Sequence, residues 1–373
     1  MKLIHLSDLH LGKRLREYSL IDDQKHILSQ IIDIVKDEKP HGVIIAGDVY
    51  DKSVPSAEAV EVFDDFLYSL SRTETETFII SGNHDSPERI AFGGRLMNRS
   101  GVHLSPVYDG TITKLPLTDE HGTVYVYMLP FVRPADVRRY YPEAEIASYT
   151  DAVRTAVENA EFDESARNII ITHQFVTGAS RCDSEDKSVG GTDNVDGSVF
   201  EKFDYTALGH IHSPQNVGNE KIRYCGTPLK YSFSEAMHKK SVTVAELNEK
   251  GSLTVREIQF KPLRDMRIIR GSFEELVSSE KTDDYIKAVL TDEEEIPDAI
   301  GRLRFTYPNI LELEYDNRRT RGGAEGFSVG TAEESDPLEI FMEFYEKQNN
   351  KPMSTEQEEI IKAVIEELKE DKA

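Results

Sequence analysis

The chain of 373 residues is long enough for more than one domain, and its 38% hydrophobic residues can supply a core. A formal net charge of −24 argues against a protein that grips nucleic acid through Lys and Arg alone, and no run reaches the length of a membrane-spanning helix. The two cysteines, Cys182 and Cys225, have no CxxC spacing, which argues against a disulfide framework or zinc ribbon and points to a reduced, cytoplasmic protein. The N-terminal stretch MKLIHLSDLH reads as a strand carrying Asp8 and His10, without the longer apolar run of a signal peptide.

In chain order, residues 2–7 form a first strand, and residues 22–36 a helix with Ile27, Ile31, Ile34 and Val35 at helical spacing before Pro40. Residues 42–46 are a second strand. Ser56 is an N-cap for a helix to about Leu70, with Val60, Phe63 and Leu67 on one face, and 77–81 is a third strand. Alternating strands and helices imply a parallel or mixed sheet covered by helices. Short strands follow at 111–115 and 124–129, then a helical region reaching about Ala160. Further strands are expected at 168–172 and 205–208, and a hairpin at 241–247 and 253–260 around Asn248-Glu249-Lys250-Gly251. Two such layers meeting face to face give a four-layer αββα sandwich over residues 1–262.

A break falls near Lys261-Pro262. Residues 263–316 then read as a compact β-α-β-α-β unit, with strands at 266–270, 285–290 and 311–315 and helices from Ser272 and Pro297. Residues 317–335, rich in Gly, Ser, Thr and charge, read as a linker. Residues 336–373 hold two helices. The first carries Leu338, Phe341, Met342 and Tyr345. The second opens on a capping box of Ser354 and Gln357 and carries Ile360, Ile361, Val364, Ile365 and Leu368. Such an amphipathic pair beyond a linker suits capture of a partner's helices. The acid is unevenly spread: segments 282–298, 333–346 and 356–371, in the C-terminal third, are notably acidic.

Five pieces carry metal-binding side chains, each after an apolar run: Asp8-Leu9-His10, Gly47-Asp48, Gly82-Asn83-His84-Asp85, His173, and Gly209-His210-Ile211-His212. Singly, DxH and GD are commonplace at turns. Their ordered conjunction at strand ends points to one cleft with two divalent ions, and so to phosphoester hydrolysis. Asp48 suits a bridging carboxylate. Asp8, His10 and one later histidine would complete one ion, and Asn83, His173 and another histidine the second. The mixed Asp, Asn and His donors favour Mn, Fe or Zn over Ca. His84, next to a ligand, is expected to point away from the metals toward substrate and to donate to the leaving oxygen, with Asp85 orienting it. Lys13, Arg14 and Arg16 after the first motif, and Lys52 and Arg89 after the second and third, are candidate phosphate contacts near the cleft.

The series DxH…GD…GNHD…H…GHxH resembles the calcineurin-like metallophosphoesterases. The fuller strings Leu6-Ser7-Asp8-Leu9-His10-Leu11-Gly12, Ala46-Gly47-Asp48-Val49-Tyr50-Asp51, Ser81-Gly82-Asn83-His84-Asp85-Ser86, Thr172-His173-Gln174-Phe175-Val176 and Ala207-Leu208-Gly209-His210-Ile211-His212 resemble the bacterial SbcD-type nucleases. So do Tyr224-Cys225-Gly226-Thr227-Pro228 and Ser232-Phe233-Ser234-Glu235. The resemblance implies Asp8, His10, Asp48 and His212 on one ion, Asp48, Asn83, His173 and His210 on the other, and His84 as catalytic histidine. It also implies manganese dependence, a DNA-contacting capping domain, a homodimer, and terminal helices that bind the coiled coil of an SbcC-type (Rad50-like) ATPase. The expected activity is exonuclease and endonuclease action on DNA ends and hairpins. The alternative is a phosphodiesterase or phosphatase of the same fold acting on another phosphoester.

Overall fold

The structure, a computed structural model, describes residues 1–185, 193–318, 320, 337–349 and 351–370. Apart from Asn317, Arg318 and Thr320, the expected linker 317–335 lies outside the described residues. The chain forms two compact units, Met1–Met266 and Arg267–Ala373.

Two six-stranded sheets make the first unit. One runs in the order Leu253–Gln259, Ser241–Leu247, Lys2–Leu6, Gly42–Ala46, Glu76–Ile80, Val102–Leu104. The last four strands are parallel, and the expected hairpin supplies the antiparallel edge. The other runs Gln215–Val217, Asn219–Tyr224, Tyr205–Gly209, Arg167–His173, Gly122–Leu129, Thr113–Asp119, parallel through its four middle strands.

Side chains alternate between the two faces of a strand. Leu3, Ile44, Ala46, Phe78 and Ile80 of the first sheet therefore pack directly on Val124, Val126, Met128, Ile169, Ile171 and Ala207 of the second. His5 joins the sheets inside this layer, its Nδ1 2.9 Å from the Tyr205 hydroxyl. The outer face of the second sheet packs Tyr127, Leu129, Ile170 and Leu208 on Ala152, Val153, Ala156 and Val157 of the helix Tyr149–Glu158. Helices Ile21–Glu38 and Ala57–Ser71 pack on each other beside the first sheet. The sheets and their helices build the αββα sandwich.

Ser56 caps the second of these helices, accepting from the Ala59 amide at 3.2 Å. Its buried stripe is Ala59, Val62, Phe63, Phe66, Leu67 and Leu70, whereas Val60, placed on that face from sequence, is 45% exposed. The strands 215–217 and 219–224 were not expected, and the strand expected at 111–115 lies at Thr113–Asp119.

The first unit ends a few residues later than the Lys261-Pro262 break suggested. Side chains tie 261–265 back to it: Gln30 bonds both backbone groups of Lys261 at 2.6 and 3.0 Å, Arg264 pairs with Asp23 at 3.1 Å, and Asp265 with Lys230 at 2.8 Å.

In the second unit, Met266–Gly271, Tyr285–Leu290 and Ile310–Tyr315 form a three-stranded sheet. Helices Phe273–Val277 and Ala299–Leu303 cover a core of Phe273, Leu276, Ile286, Ala288, Leu290, Leu303 and Ile310. Helices Pro337–Asn349 and Thr355–Glu370 pack on each other. The Ser354 capping box forms, with the Gln357 amide 3.3 Å from Ser354 Oγ and the Ser354 amide 3.0 Å from Gln357 Oε1.

Candidate metal centre

Five parallel strands of the first unit end at one rim, the carboxyl ends where open α/β sheets gather ligands. The chain leaves them in strained turns. Asp8, His10, Asp48 and His210 all adopt positive φ, at 53°, 43°, 51° and 102°. Non-glycine residues seldom sit there, and such strain concentrates at functional sites. Backbone bonds lock the turns: the Asp8 amide donates to Gly47 O and the His10 amide to Asp48 O, both at 3.0 Å. Two glycines make the approach possible. A Cβ on Gly82 would strike the Asp48 carboxylate, and one on Gly209 would overlap the Ala46 carbonyl and sit 2.6 Å from His173 Nδ1.

The seven ligand candidates converge. His10 Nε2 lies 3.3 Å from His212 Nε2, 4.0 Å from Asp8 Oδ1 and 3.7 Å from Asp48 Oδ2. Asn83 Oδ1 lies 3.0 Å from both His173 Nε2 and His210 Nδ1, and His173 Nε2 is 3.3 Å from Asp48 Oδ2. Ligand bonds of about 2.1 Å put donor atoms around a common ion roughly 3–4 Å apart. Asp48 Oδ2 therefore faces both groups, while Oδ1 accepts from the His84 amide at 2.9 Å.

Charge gives an independent test of fit. Asp8 and Asp48 are buried, and among the described residues neither pairs with a Lys or Arg. Two buried carboxylates that close cost several kcal/mol each without a cation. Burial raises Asp8 above the usual carboxylate range. Burial also opposes ionisation of Asp48, but the charge and hydrogen bond of His173 outweigh it and hold Asp48 low. His173 is pushed up to about 9: burial works against its charge, and Asp48 and Asp8 win. A divalent cation would take that proton's place. Burial holds His10 well below its usual range and, with His173, lowers His210 to about 3, so both offer neutral imidazole.

The orienting contacts are specific. His173 Nδ1 is 2.8 Å from Ala46 O, which leaves Nε2 for a ligand. The His210 amide donates to the Asp8 carboxylate at 3.1 Å, and Ser7 Oγ also bonds it. Gln24 reaches Leu9 O at 3.2 Å and His10 O at 2.7 Å, fastening the first turn. Gln24 was missed from sequence, although a polar residue on the buried stripe of an apolar helix is a usable signal.

His84 and Asp85 differ from expectation. His84 does not point away from the ligands: its Nε2 comes within 3.9 Å of Asp48 Oδ2 because its Nδ1 is held 3.1 Å from the Asp51 carbonyl. Asp85 takes another part than orienting His84. Its oxygens accept from the amides of Gly82 at 2.9 Å, Val49 at 3.1 Å and Tyr50 at 3.0 Å, tying the second motif's turn to the third's. Burial and the neighbouring Asp48 charge push Asp85 up to about 6.

Of the cationic candidates, Lys13 is paired with Asp51 at 2.8 Å and lies over the Tyr231 ring, whereas Arg14, Arg16, Lys52 and Arg89 are exposed.

Residues 1–214 match the family of calcineurin-like phosphoesterases, and residues 262–349 match the type 5 capsule protein repressor C-terminal domain. Over 376 aligned residues the chain is 31% identical to the SbcD nuclease (the D component of SbcCD) of Staphylococcus epidermidis, covering 98% of both chains. Among solved structures, a dimetal phosphatase from Danio rerio aligns over 69% of this chain and 95% of its own, with 11% identity and a TM-score of 0.42. GAP50, the anchor in the inner membrane complex of Plasmodium, aligns over 84% and 96%, with 10% identity and a TM-score of 0.41. The fold and site define a metal-dependent phosphodiester hydrolase. Within that class, the chain belongs to the calcineurin-like phosphoesterase family and to its branch of SbcD nucleases. Among the described residues, no helix is long and apolar enough to cross a membrane.

Proposed function

We propose that this chain is the nuclease component of an SbcCD-type complex, hydrolysing DNA phosphodiesters at ends and hairpins with two Mn ions. The observation that carries the two-ion reading is the single oxygen Asp48 Oδ2, 3.7 Å from His10 Nε2 and 3.3 Å from His173 Nε2. Asp8, His10, Asp48 and His212 would hold one ion, and Asp48, Asn83, His173 and His210 the other. Ions held there would supply a water of lowered pKa and positive charge for the phosphoryl oxygens. Asp48 spans the two sets, and its turn is held by the amides that Asp85 collects. His84 is the catalytic histidine. With Nδ1 turned to the Asp51 carbonyl, its Nε2 is the nitrogen left to donate a proton to the departing oxygen.

The full-length similarity to an SbcD nuclease supports DNA as substrate and an SbcC-type ATPase as partner. The acidic chain then depends on its ions and its partner to bring DNA to the cleft, with exposed Arg14, Arg16, Lys52 and Arg89 as candidate aids. We assign the ATPase contact to the two terminal helices, where Phe341, Phe344, Ile360 and Val364 leave apolar surface exposed. The nuclease would act as a homodimer in the cytoplasm, with 263–316 as the capping domain.

The direct test is a nuclease assay on blunt and hairpin DNA, with Mn against Mg, with and without the ATPase. Mn-dependent cleavage is expected. Hydrolysis of a small diester without cleavage of DNA, even with the partner, would overturn the assignment.

A further inference from the structure

The centre's three solvent-shielded histidines on the later strands are not oriented alike. His173 leans on a backbone carbonyl, Ala46 O at 2.8 Å. His212 leans on side chains. Its Nδ1 is 2.8 Å from Ser184 Oγ, which is 2.5 Å from Glu235 Oε1. Glu235 is fully buried, and its other oxygen is bonded by Lys240, itself only 7% exposed. The Lys240 ammonium also donates to His212 O at 2.8 Å and Thr227 Oγ1 at 2.6 Å. Buried charges of this kind are costly unless every partner is present.

The hydrogen-bond directions follow from charge. Glu235, ion-paired to Lys240, is a carboxylate and can only accept, so the Ser184 hydroxyl donates to it. Ser184 Oγ is then an acceptor for His212, which places the ring proton on Nδ1 and the lone pair on Nε2. That nitrogen is the one 3.3 Å from His10 Nε2.

We propose that Ser184 and Glu235 are positioning residues for the ion held by Asp8, His10, Asp48 and His212, with Lys240 keeping Glu235 charged. This inference rests on the two-ion reading of the centre. It gives a chemical role to the Ser232-Phe233-Ser234-Glu235 and Thr227 strings, whose part in the motif series is otherwise unexplained.

The test is Mn titration of the full chain by calorimetry, with the melting temperature of the metal-free protein measured alongside. Wild type should bind two ions. Ser184→Ala should weaken one of them about 10- to 100-fold, the usual loss when a ligand's outer partner is removed, and leave the other unchanged. Ser184→Thr, which keeps the hydroxyl, should restore it, and the metal-free melting temperature should be the same in all three. In a cycle with His212→Ala, the double variant should lose no more than His212→Ala alone, because both changes act on one ion. Glu235→Gln should act in the same direction as Ser184→Ala. Should it fail to fold, the serine pair decides the matter. Equal Mn affinities for Ser184→Ala and wild type would overturn the relay while leaving the two-ion centre standing. A wild-type chain that binds no Mn would instead overturn the centre itself.

Discussion

In the cleft, Asp8, Asp48, His10, His173 and His212 are each no more than 2% exposed. On the terminal helices Ile360 is 62% exposed and Val364 45%. The first region buries polar groups and the second exposes apolar ones; on the proposed function, cations complete the one and a protein partner the other. Each is incomplete by itself in an opposite sense. A burial pattern thus tells what to look for: buried carboxylates with no Lys or Arg partner among the described residues ask for metal, and an exposed apolar helix face is a candidate surface for another chain.

If the two regions are separable in this way, a change in one should leave the other's binding intact. Asp48→Asn strikes the shared ligand, so hydrolysis of duplex DNA should fall to background and Mn binding drop below two ions, while the ATPase is still captured in a pull-down. Gly209→Ala forces a methyl into the Ala46 carbonyl. It should destabilise the first unit by about 3 kcal/mol in a denaturant titration, and a variant as stable as wild type would contradict so close an approach of the strand ends. His84→Ala should lower turnover about 10²- to 10⁴-fold while both Mn ions remain bound. On the other side of the comparison, Ile360→Asp or Val364→Asp should each weaken ATPase capture about tenfold or more without changing Mn stoichiometry. Retained capture by a chain lacking residues 337–373 would remove the terminal helices from the docking assignment.

The smallest expected effect is on pH stability of the metal-free protein. His173 is raised to about 9, so its stabilising contribution is full below about 6.5 and is lost as pH climbs through about 9. His210 is lowered to about 3 and His10 is lowered as well, so theirs are full above about 6.5 and lost as pH falls. Thermal melts without metal should therefore peak near pH 6.5. Saturating Mn should raise the alkaline side most, since the cation replaces the His173 proton. A flat profile would contradict the charge assignments in the cleft.

What could be read from the sequence follows from distance along the chain. Asp8-Leu9-His10, Gly47-Asp48 and Asn83-His84 each pair a buried apolar run with adjacent donor residues, so strand and ligand announce each other within ten residues. The hairpin at 241–259 was legible from its turn, and the helix capped by Ser56 from its cap. Ser184 and Glu235 were not, because they meet across 51 residues of chain, and a serine in a polar loop carries no periodic signal. Asp85 was misjudged because its partners are backbone amides, which any sequence possesses. Strand 219–224 opens on Asn219-Glu220-Lys221, a turn-like polar start that hides its buried end at Ile222, Arg223 and Tyr224.

The most direct measurement is Mn stoichiometry and duplex-DNA cleavage taken together on wild type and His84→Ala. Two ions per chain in both proteins, with cleavage surviving only in wild type, is the predicted result. Loss of an ion from His84→Ala, or unchanged cleavage with both ions bound, would contradict a two-ion centre in which His84, beside the ligands, serves as the proton donor.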